Sequence, residues 1–285
     1  MAGVPDPADR ELLAELRGVA ERVAREAADL VRERRLAGAS VADLKSSPVD
    51  VVTEADRASE EYLRRRLGDL RPDDGFFGEE GTRHSSGSGV TWVVDPIDGT
   101  VNYLYGIPQY AVSVAAVDGG HRSLAGAVVD VERRVTYSAA LGAGAAADGR
   151  PLAVRPRAPL AEQLFLTGFQ YQQEVRALQG PAVAALVTKV RDIRRLGSAA
   201  LDLCAVAAGT ADAFVEEGLH LWDRAAAGLV ATEAGAVVEV HPGAGGMDCV
   251  VCAPAEAYAE VLAVVTECGF LAATTGSTET SPPTL

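Results

Sequence analysis

Apolar residues recur every three or four positions through Leu12, Leu16, Val19, Val23 and Leu30, which predicts a long amphipathic helix reaching about Leu36. Asp6 and Pro7 stand where a helix start favours them. A polar break at Ser46-Ser47-Pro48 precedes the strand-like Val49-Asp50-Val51-Val52. Thr53 is placed to N-cap a second helix, with Asp56 at its third position and Tyr62, Leu63 and Leu67 along its apolar side. The Ser/Gly-rich run from His84 to Gly89 reads as a mobile loop. Strand-like runs follow at 91–94, 111–117, 124–129 and 135–139, with Asp118-Gly119-Gly120 as the hairpin turn between the middle two.

The pattern then changes to an alternation. Strands are predicted at 164–167, 213–215, 237–240 and 250–252, and helices at 174–187, 198–208, 223–234 and 255–265. Antiparallel strands followed by alternating elements predict a layered α+β fold. Residues 1–271 are expected to form a single domain of two α/β halves, about 1–150 and 151–271, with a site between them. The Thr/Ser/Pro-rich stretch 272–285 is expected to be a disordered tail.

Composition narrows the function. The chain has 285 residues, 48% of them hydrophobic, ample for a large core. Lys and Arg number 26 against 40 Asp and Glu, a net charge of −14. Direct binding to nucleic acid or anionic membrane, which needs clustered cations, is disfavoured. No apolar run approaches the ~18 residues of a membrane helix, and no leader is visible, so the expected compartment is the cytoplasm. Cys249 and Cys252 form a CxxC, but strand alternation would send the two thiols to opposite faces, as buried filler.

The chemistry concentrates in acids. An apolar strand, Trp92-Val93-Val94, runs into Asp95-Pro96-Ile97-Asp98-Gly99-Thr100. Adjacent carboxylates repel, so they sit in water or are neutralised by a cation. Oxygen donors without nearby Cys or His point to magnesium or manganese. The amides of Gly99 and Thr100 suit a phosphate if a helical turn starts there. A solvated turn is the plain alternative. Gly78-Glu79-Glu80-Gly81 and Trp222-Asp223 repeat the theme of an apolar run ending in carboxylates; alone, each also reads as a loop or a helix-start acid.

Taken in order, Gly78-Glu79-Glu80, Asp95 to Thr100 and Trp222-Asp223 with Gly228, Glu233 and Gly235 resemble the inositol monophosphatase family. Lys45-Ser-Ser-Pro-Val-Asp with Thr53 and Asp56 matches a further block, so the resemblance spans roughly Ala8 to Val265. It implies a layered αβαβα sandwich, homodimers, and Mg²⁺-dependent, lithium-inhibitable hydrolysis of small phosphomonoesters. Two to three Mg²⁺ ions, or Mn²⁺, are implied. By the same resemblance Glu79, Asp95 and the Ile97 carbonyl hold a first metal. Asp95, Asp98 and Asp223 hold a second, and Glu79 shares a third. Thr100, oriented by Asp56, positions the attacking water, with Glu79 as a third catalytic residue. Gly99 and Thr100 meet the phosphate end, and Asp98, Ala199, Glu216 and Asp223 the polyol hydroxyls. Glu216, rather than Glu217, matches the family offset before Trp222. Lys45 falls on the family's mobile loop, though it also reads as a surface lysine.

Two positions depart from the family pattern. Gly81 stands where serine is common, and Arg224 follows Asp223 where a smaller residue is common. Neither removes a ligand, and Arg224 is expected to point away from the metals. Val101-Asn102-Tyr103 resembles the continuation found in inositol monophosphatases, which favours inositol 1-phosphate as substrate. Histidinol phosphate and fructose 1,6-bisphosphate stay open on the same scaffold. A non-catalytic, protein-binding transcription regulator is the alternative from another class.

Overall fold

The computed structural model describes residues 7–38, 41–44 and 51–272. Helix α1 (Pro7–Ala37) leads into the antiparallel pair β1 (Val41–Leu44) and β2 (Val51–Thr53), and then α2 (Glu54–Leu70). Next come β3 (Gly75–Gly78), β4 (Arg83–His84), β5 (Thr91–Asp98), α3 (Thr100–Tyr105), β6 (Ala111–Val117), β7 (Ser123–Asp130), β8 (Val135–Ala140), β9 (Ala145–Ala147) and β10 (Arg150–Pro151). The remaining elements are β11 (Leu164–Thr167), α4 (Gln173–Leu186), β12 (Asp192–Arg194), α5 (Ala199–Ala207), β13 (Ala213–Glu217), α6 (Leu221–Glu233), β14 (Ala236–Pro242), β15 (Asp248–Pro254) and α7 (Tyr258–Cys268).

Strands β3 to β10 form an eight-stranded sheet in the order β10-β9-β8-β7-β6-β5-β3-β4, and a five-stranded sheet runs β12-β11-β13-β15-β14. Side-chain alternation sorts these sheets into layers. Trp92 and Val94 of β5 face one core with Leu16, Val23 and Val31 of α1 and Leu63 and Leu67 of α2. Val93, one residue out of phase, joins a second core with Leu203 and Val206 of α5 and Leu229 and Val230 of α6. Phe214 and Cys252 of the smaller sheet reach that same core. Val215 and Cys249 face the other way, with Leu186 of α4 and Val261 and Val265 of α7. The stack is therefore helices, sheet, helices, sheet, helices: the αβαβα sandwich. Cys249 and Cys252 fall on opposite faces, and all four cysteines are free and buried.

Local chemistry explains most boundaries. Thr53 caps α2 through a full capping box with Asp56, worth about 1 kcal/mol in a typical helix. Ser198 caps α5 by accepting from the Leu201 amide. The segment 84–89 is more structured than its composition predicts: His84 pairs with Phe76 in the sheet, and Ser88 donates to Asp74 at 2.6 Å. Helix α6 starts at Leu221 rather than Asp223, which sits at its third position and accepts from the His220 amide. Helix α7 starts at Tyr258, three residues later than the apolar pattern suggests, because the chain turns at 255–257. Residues Val49 and Asp50, the Ser46-Ser47-Pro48 break and the stretch 273–285 lie outside the described residues. Ala272, expected in the tail, donates its N–H to the Pro242 carbonyl at 2.8 Å.

A single irregularity in the larger sheet shapes the acidic turn. Asp95 and Asp98 are three residues apart, so a regular strand would turn them to opposite faces. The β5–β6 register shifts between them: Asp95 pairs with Ser113, Asp98 with Ala111. Three steps on β5 match two on β6, the count of a bulge, and Pro96 sits where no ladder donor is needed. The bulge brings both aspartates to one cavity.

Candidate active site

The cavity has a volume of about 340 Å³ and draws residues from both sheets. Glu79, Asp95, Ile97, Asp98, Gly99 and Thr100 come from the larger sheet and its following helix, and Ala199, Glu216 and Asp223 from the smaller sheet and the helices beside it. Of the residues expected to act together, these nine share the lining. Asp56 lies just behind it, buried, with Oδ1 accepting from the Thr100 hydroxyl at 3.1 Å. Lys45 lies outside the described residues. Arg224 is absent from the lining, and its buried Nε has no hydrogen-bond partner among the described residues.

Helix α2 aligns the acidic turn from behind. Asp56 Oδ2 accepts from both the amide and the hydroxyl of Thr53, leaving Oδ1 for Thr100. Ser59 donates to the Pro96 carbonyl at 3.1 Å, and Glu60 accepts from the Glu80 amide at 2.7 Å. Sequence reading missed Ser59 and Glu60. Their signal was available: both lie one helical turn after Asp56, on its face.

Asp98 joins the two halves of the cavity. It accepts from the Ser198 hydroxyl, from the Ala200 amide at 2.8 Å and from the Ala199 amide at 3.3 Å, all at the start of α5. The Ala199 N–H is therefore turned to Asp98. Asn102 reinforces the seam, its amide donating to the Gln109 and Leu196 carbonyls at 2.8 Å each. On the smaller sheet, Glu216 and Glu217 separate cleanly. Glu217 accepts from the Gly245 and Met247 amides at 2.7 and 3.1 Å and fastens that loop, whereas Glu216 lines the cavity. A Cβ at Gly168 would come within 2.1 Å of the Glu216 carboxylate, so that carboxylate lies directly against the glycine. Gln170, also missed, donates to the Glu217 and Gly218 carbonyls and frames this corner.

Burial and mutual repulsion dominate the electrostatics. Burial holds Asp95 well above the ordinary carboxylate range, and the charges of Glu79, Asp98 and Asp223 push the same way. The neighbouring Glu79 carboxylate adds to the rise of Asp95. Burial raises Asp223 too, reinforced by Glu79 and Asp98. Asp98 rises to about 6, its donors from Ser198 and Ala200 opposing burial. Burial raises Asp56 to about 7 against the Thr53 hydrogen bonds. Glu216 rises to about 7 by burial, with the Arg195 charge opposing.

Among the described residues no three His, Cys, Asp or Glu side chains are drawn into a ready-made metal cage. The fit therefore rests on donor chemistry. Four acids whose charges reach one another across one cavity, all oxygen donors, are what a hard divalent cation would relieve. His220 also lines the cavity, but its ring is stacked on Trp222 with centroids 4.6 Å apart. Glu79, Asp95, Asp98 and Asp223 are the residues that could hold such an ion.

The model of the inositol monophosphatase family matches residues 12–269. Over 268 residues the chain is 48% identical to the inositol-1-monophosphatase of Mycobacterium bovis, covering 87% of this chain and 92% of that one. It is 40% identical over 196 residues to a protein of Xylella fastidiosa named Nus factor SuhB, covering 68% of this chain and 70% of that one. The solved structure of Mycobacterium tuberculosis SuhB superposes with a TM-score of 0.78 at 46% identity, covering 91% of this chain and 98% of that one.

Proposed function

Since the chain belongs to the inositol monophosphatase family and is a phosphoric monoester hydrolase, we propose that it hydrolyses myo-inositol 1-phosphate to inositol and phosphate with two to three Mg²⁺ ions. Mn²⁺ would serve in the same places. The observation that supports this reading most is the meeting, in one cavity, of four mutually repelling carboxylates, the Thr100–Asp56 hydrogen bond and Glu216 from the other sheet.

Glu79, Asp95 and the Ile97 carbonyl would hold one ion, Asp95, Asp98 and Asp223 a second, and Glu79 a loosely bound third. Bound there, Mg²⁺ neutralises charge on the phosphoryl and leaving oxygens and makes water more acidic. The first-turn amides of α3 have no acceptors within the helix and, with Gly99, suit the phosphoryl oxygens. Thr100 orients the attacking water. Its hydroxyl has one proton for two acceptors, Asp56 Oδ1 and the Ile97 carbonyl at 3.0 Å, so its lone pairs remain for the water's hydrogen. As the water oxygen bonds to phosphorus, its proton passes through Thr100 to Asp56, the carboxylate that accepts from the Thr100 hydroxyl. The ester P–O bond breaks and the departing alkoxide takes a proton from solvent. Asp98, Glu216 and Asp223 receive the polyol hydroxyls, and Ala199, whose N–H is held by Asp98, borders them on the cavity wall.

Thr100→Val, which keeps shape and loses the hydroxyl, is expected to lower kcat about a hundredfold, within the range typical of positioned proton transfer. Thr100→Ser should keep most of it. Steady-state kinetics on inositol 1-phosphate checks both, and near-normal turnover by the valine variant would reject the relay. Glu216→Gln should cost selectivity instead. It loses a charge-assisted hydrogen bond of roughly 1.5–3 kcal/mol, so the preference for inositol 1-phosphate over an aryl phosphate should fall about ten- to a hundredfold. Equal losses on both substrates would assign Glu216 to the metals or the fold, and an unchanged preference would remove it from polyol recognition.

A phosphate-release panel of inositol 1-phosphate, histidinol phosphate, fructose 1,6-bisphosphate and 3′-phosphoadenosine 5′-phosphate tests the substrate choice. Inositol 1-phosphate should lead it; a clear lead by another member would replace the reading. The Xylella relative's name supports a second reading, a protein-binding role in transcription. The complete set of acids favours catalysis. The reading includes a homodimer and a cytoplasmic setting, the latter supported by four free, buried cysteines. Among the described residues no helix is long and apolar enough to cross a membrane.

A further inference from the structure

Arg195 is the one lysine or arginine on the cavity wall among the described residues. It follows β12 and immediately precedes the Leu196-Gly197-Ser198 turn that starts α5. Its side chain is exposed, and among the described residues its guanidinium makes no hydrogen bond and no ion pair within 4.0 Å. A Cβ at Gly197 would come within 2.4 Å of Nη1, so the guanidinium lies over that glycine. Two acids feel its charge, Glu216 on the cavity wall and Asp202, one turn into α5, whose buried Oδ1 has no hydrogen-bond partner.

Arg195 and Glu216 line one cavity further apart than an ion pair, which offers donors at one place on its wall and acceptors at another. A hydroxyl can accept from the first and donate to the second, and two neighbouring hydroxyls can do both at once. A second phosphate suits the gap poorly, because it would set two further negative charges beside Glu216 with a single cation to balance them.

We propose that Arg195 is a specificity-determining residue: it donates to one hydroxyl of the substrate while Glu216 accepts from the next, so that together they read a vicinal diol. This rests on the polyol-phosphate reading of the same cavity. The guanidinium's fork lets it meet a hydroxyl oxygen without leaving its place over Gly197, which a lysine ammonium would do less well. Arg195 touches the alcohol end of the substrate and takes no part in the phosphoryl step.

The test is kinetic, on the Mg²⁺-loaded full chain, with myo-inositol 1-phosphate and p-nitrophenyl phosphate as paired substrates. For Arg195→Gln the ratio of kcat/KM between the two should fall about ten- to a hundredfold. The loss should appear mainly in KM for the inositol ester, because the diol is held alike in ground and transition states. Arg195→Lys should recover part of the ratio. Arg195→Gln combined with Glu216→Gln should lose less than the product of the single losses, since both act on one diol. An unchanged ratio in Arg195→Gln, where Glu216→Gln lowers it, would overturn the inference and leave the polyol reading standing. Equal losses on both substrates, or losses that vanish as protein concentration rises, would overturn it in favour of a structural role or a contact between copies. A wild-type chain that cleaves the aryl ester and ignores inositol 1-phosphate would overturn both.

Discussion

Asp95→Asn is expected to lower turnover on inositol 1-phosphate by on the order of 10³-fold or more, while raising the melting temperature of the metal-free protein. The two effects have one cause. Asp95 is buried and surrounded by the charges of Glu79, Asp98 and Asp223. Without a cation, ionising it costs stability, so its folded-state pKa stands well above 3.8. An acid with a raised folded pKa loses folding stability as pH climbs from its unfolded value through the folded one. Asparagine has nothing to ionise, so the variant's advantage in melting temperature should be small near pH 4 and grow toward neutrality. The substitution keeps the side chain's size and an oxygen to accept from the Ile97 amide, now at 3.0 Å from Oδ1. With Mg²⁺ present, the same change removes charge from the position proposed to bridge two ions. Calorimetry of the stripped protein and initial rates with Mg²⁺ check the two halves. Near-normal rates would refute the bridging role, and a collapsed metal-free fold would show that Asp95 is needed for folding.

Much of this site can be read along the chain, because its acids sit where apolar runs stop. Asp95 and Asp98 end β5, Glu79 follows β3, and Asp223 lies in the first turn of α6. The capping pair Thr53–Asp56 was equally legible, since a cap and its third residue are local by nature. What periodicity hid was the bulge: alternation alone sends Asp95 and Asp98 to opposite faces, and only the partner strand's register corrects it. Strand β12 escaped because Asp192-Ile193-Arg194 is a short, polar edge, the kind of strand without an apolar signature. Asp98's grip on α5 spans about a hundred residues of sequence, and nothing local announces it. Gln170 and Arg195 are silent for the same reason. Each gains meaning from what stands across the cavity, as Arg195 does from Glu216.

Removing the divalent cation should abolish turnover altogether, a larger effect than any single substitution. Mg²⁺ keeps several of its waters and binds through few protein oxygens, so a chelator should strip it readily. The four acids would then repel one another, and Asp95 and Asp223, both raised by burial and by their neighbours' charges, would take up protons more readily. The fold should survive, because its three cores are built from apolar side chains outside the acid cluster. Phosphate release from myo-inositol 1-phosphate, followed before and after exhaustive EDTA treatment and again after Mg²⁺ is returned in excess, reads this directly. Release should fall to the uncatalysed background with EDTA and return with Mg²⁺; release that persists through EDTA, or that Mg²⁺ fails to restore to a protein still folded by circular dichroism, would contradict it.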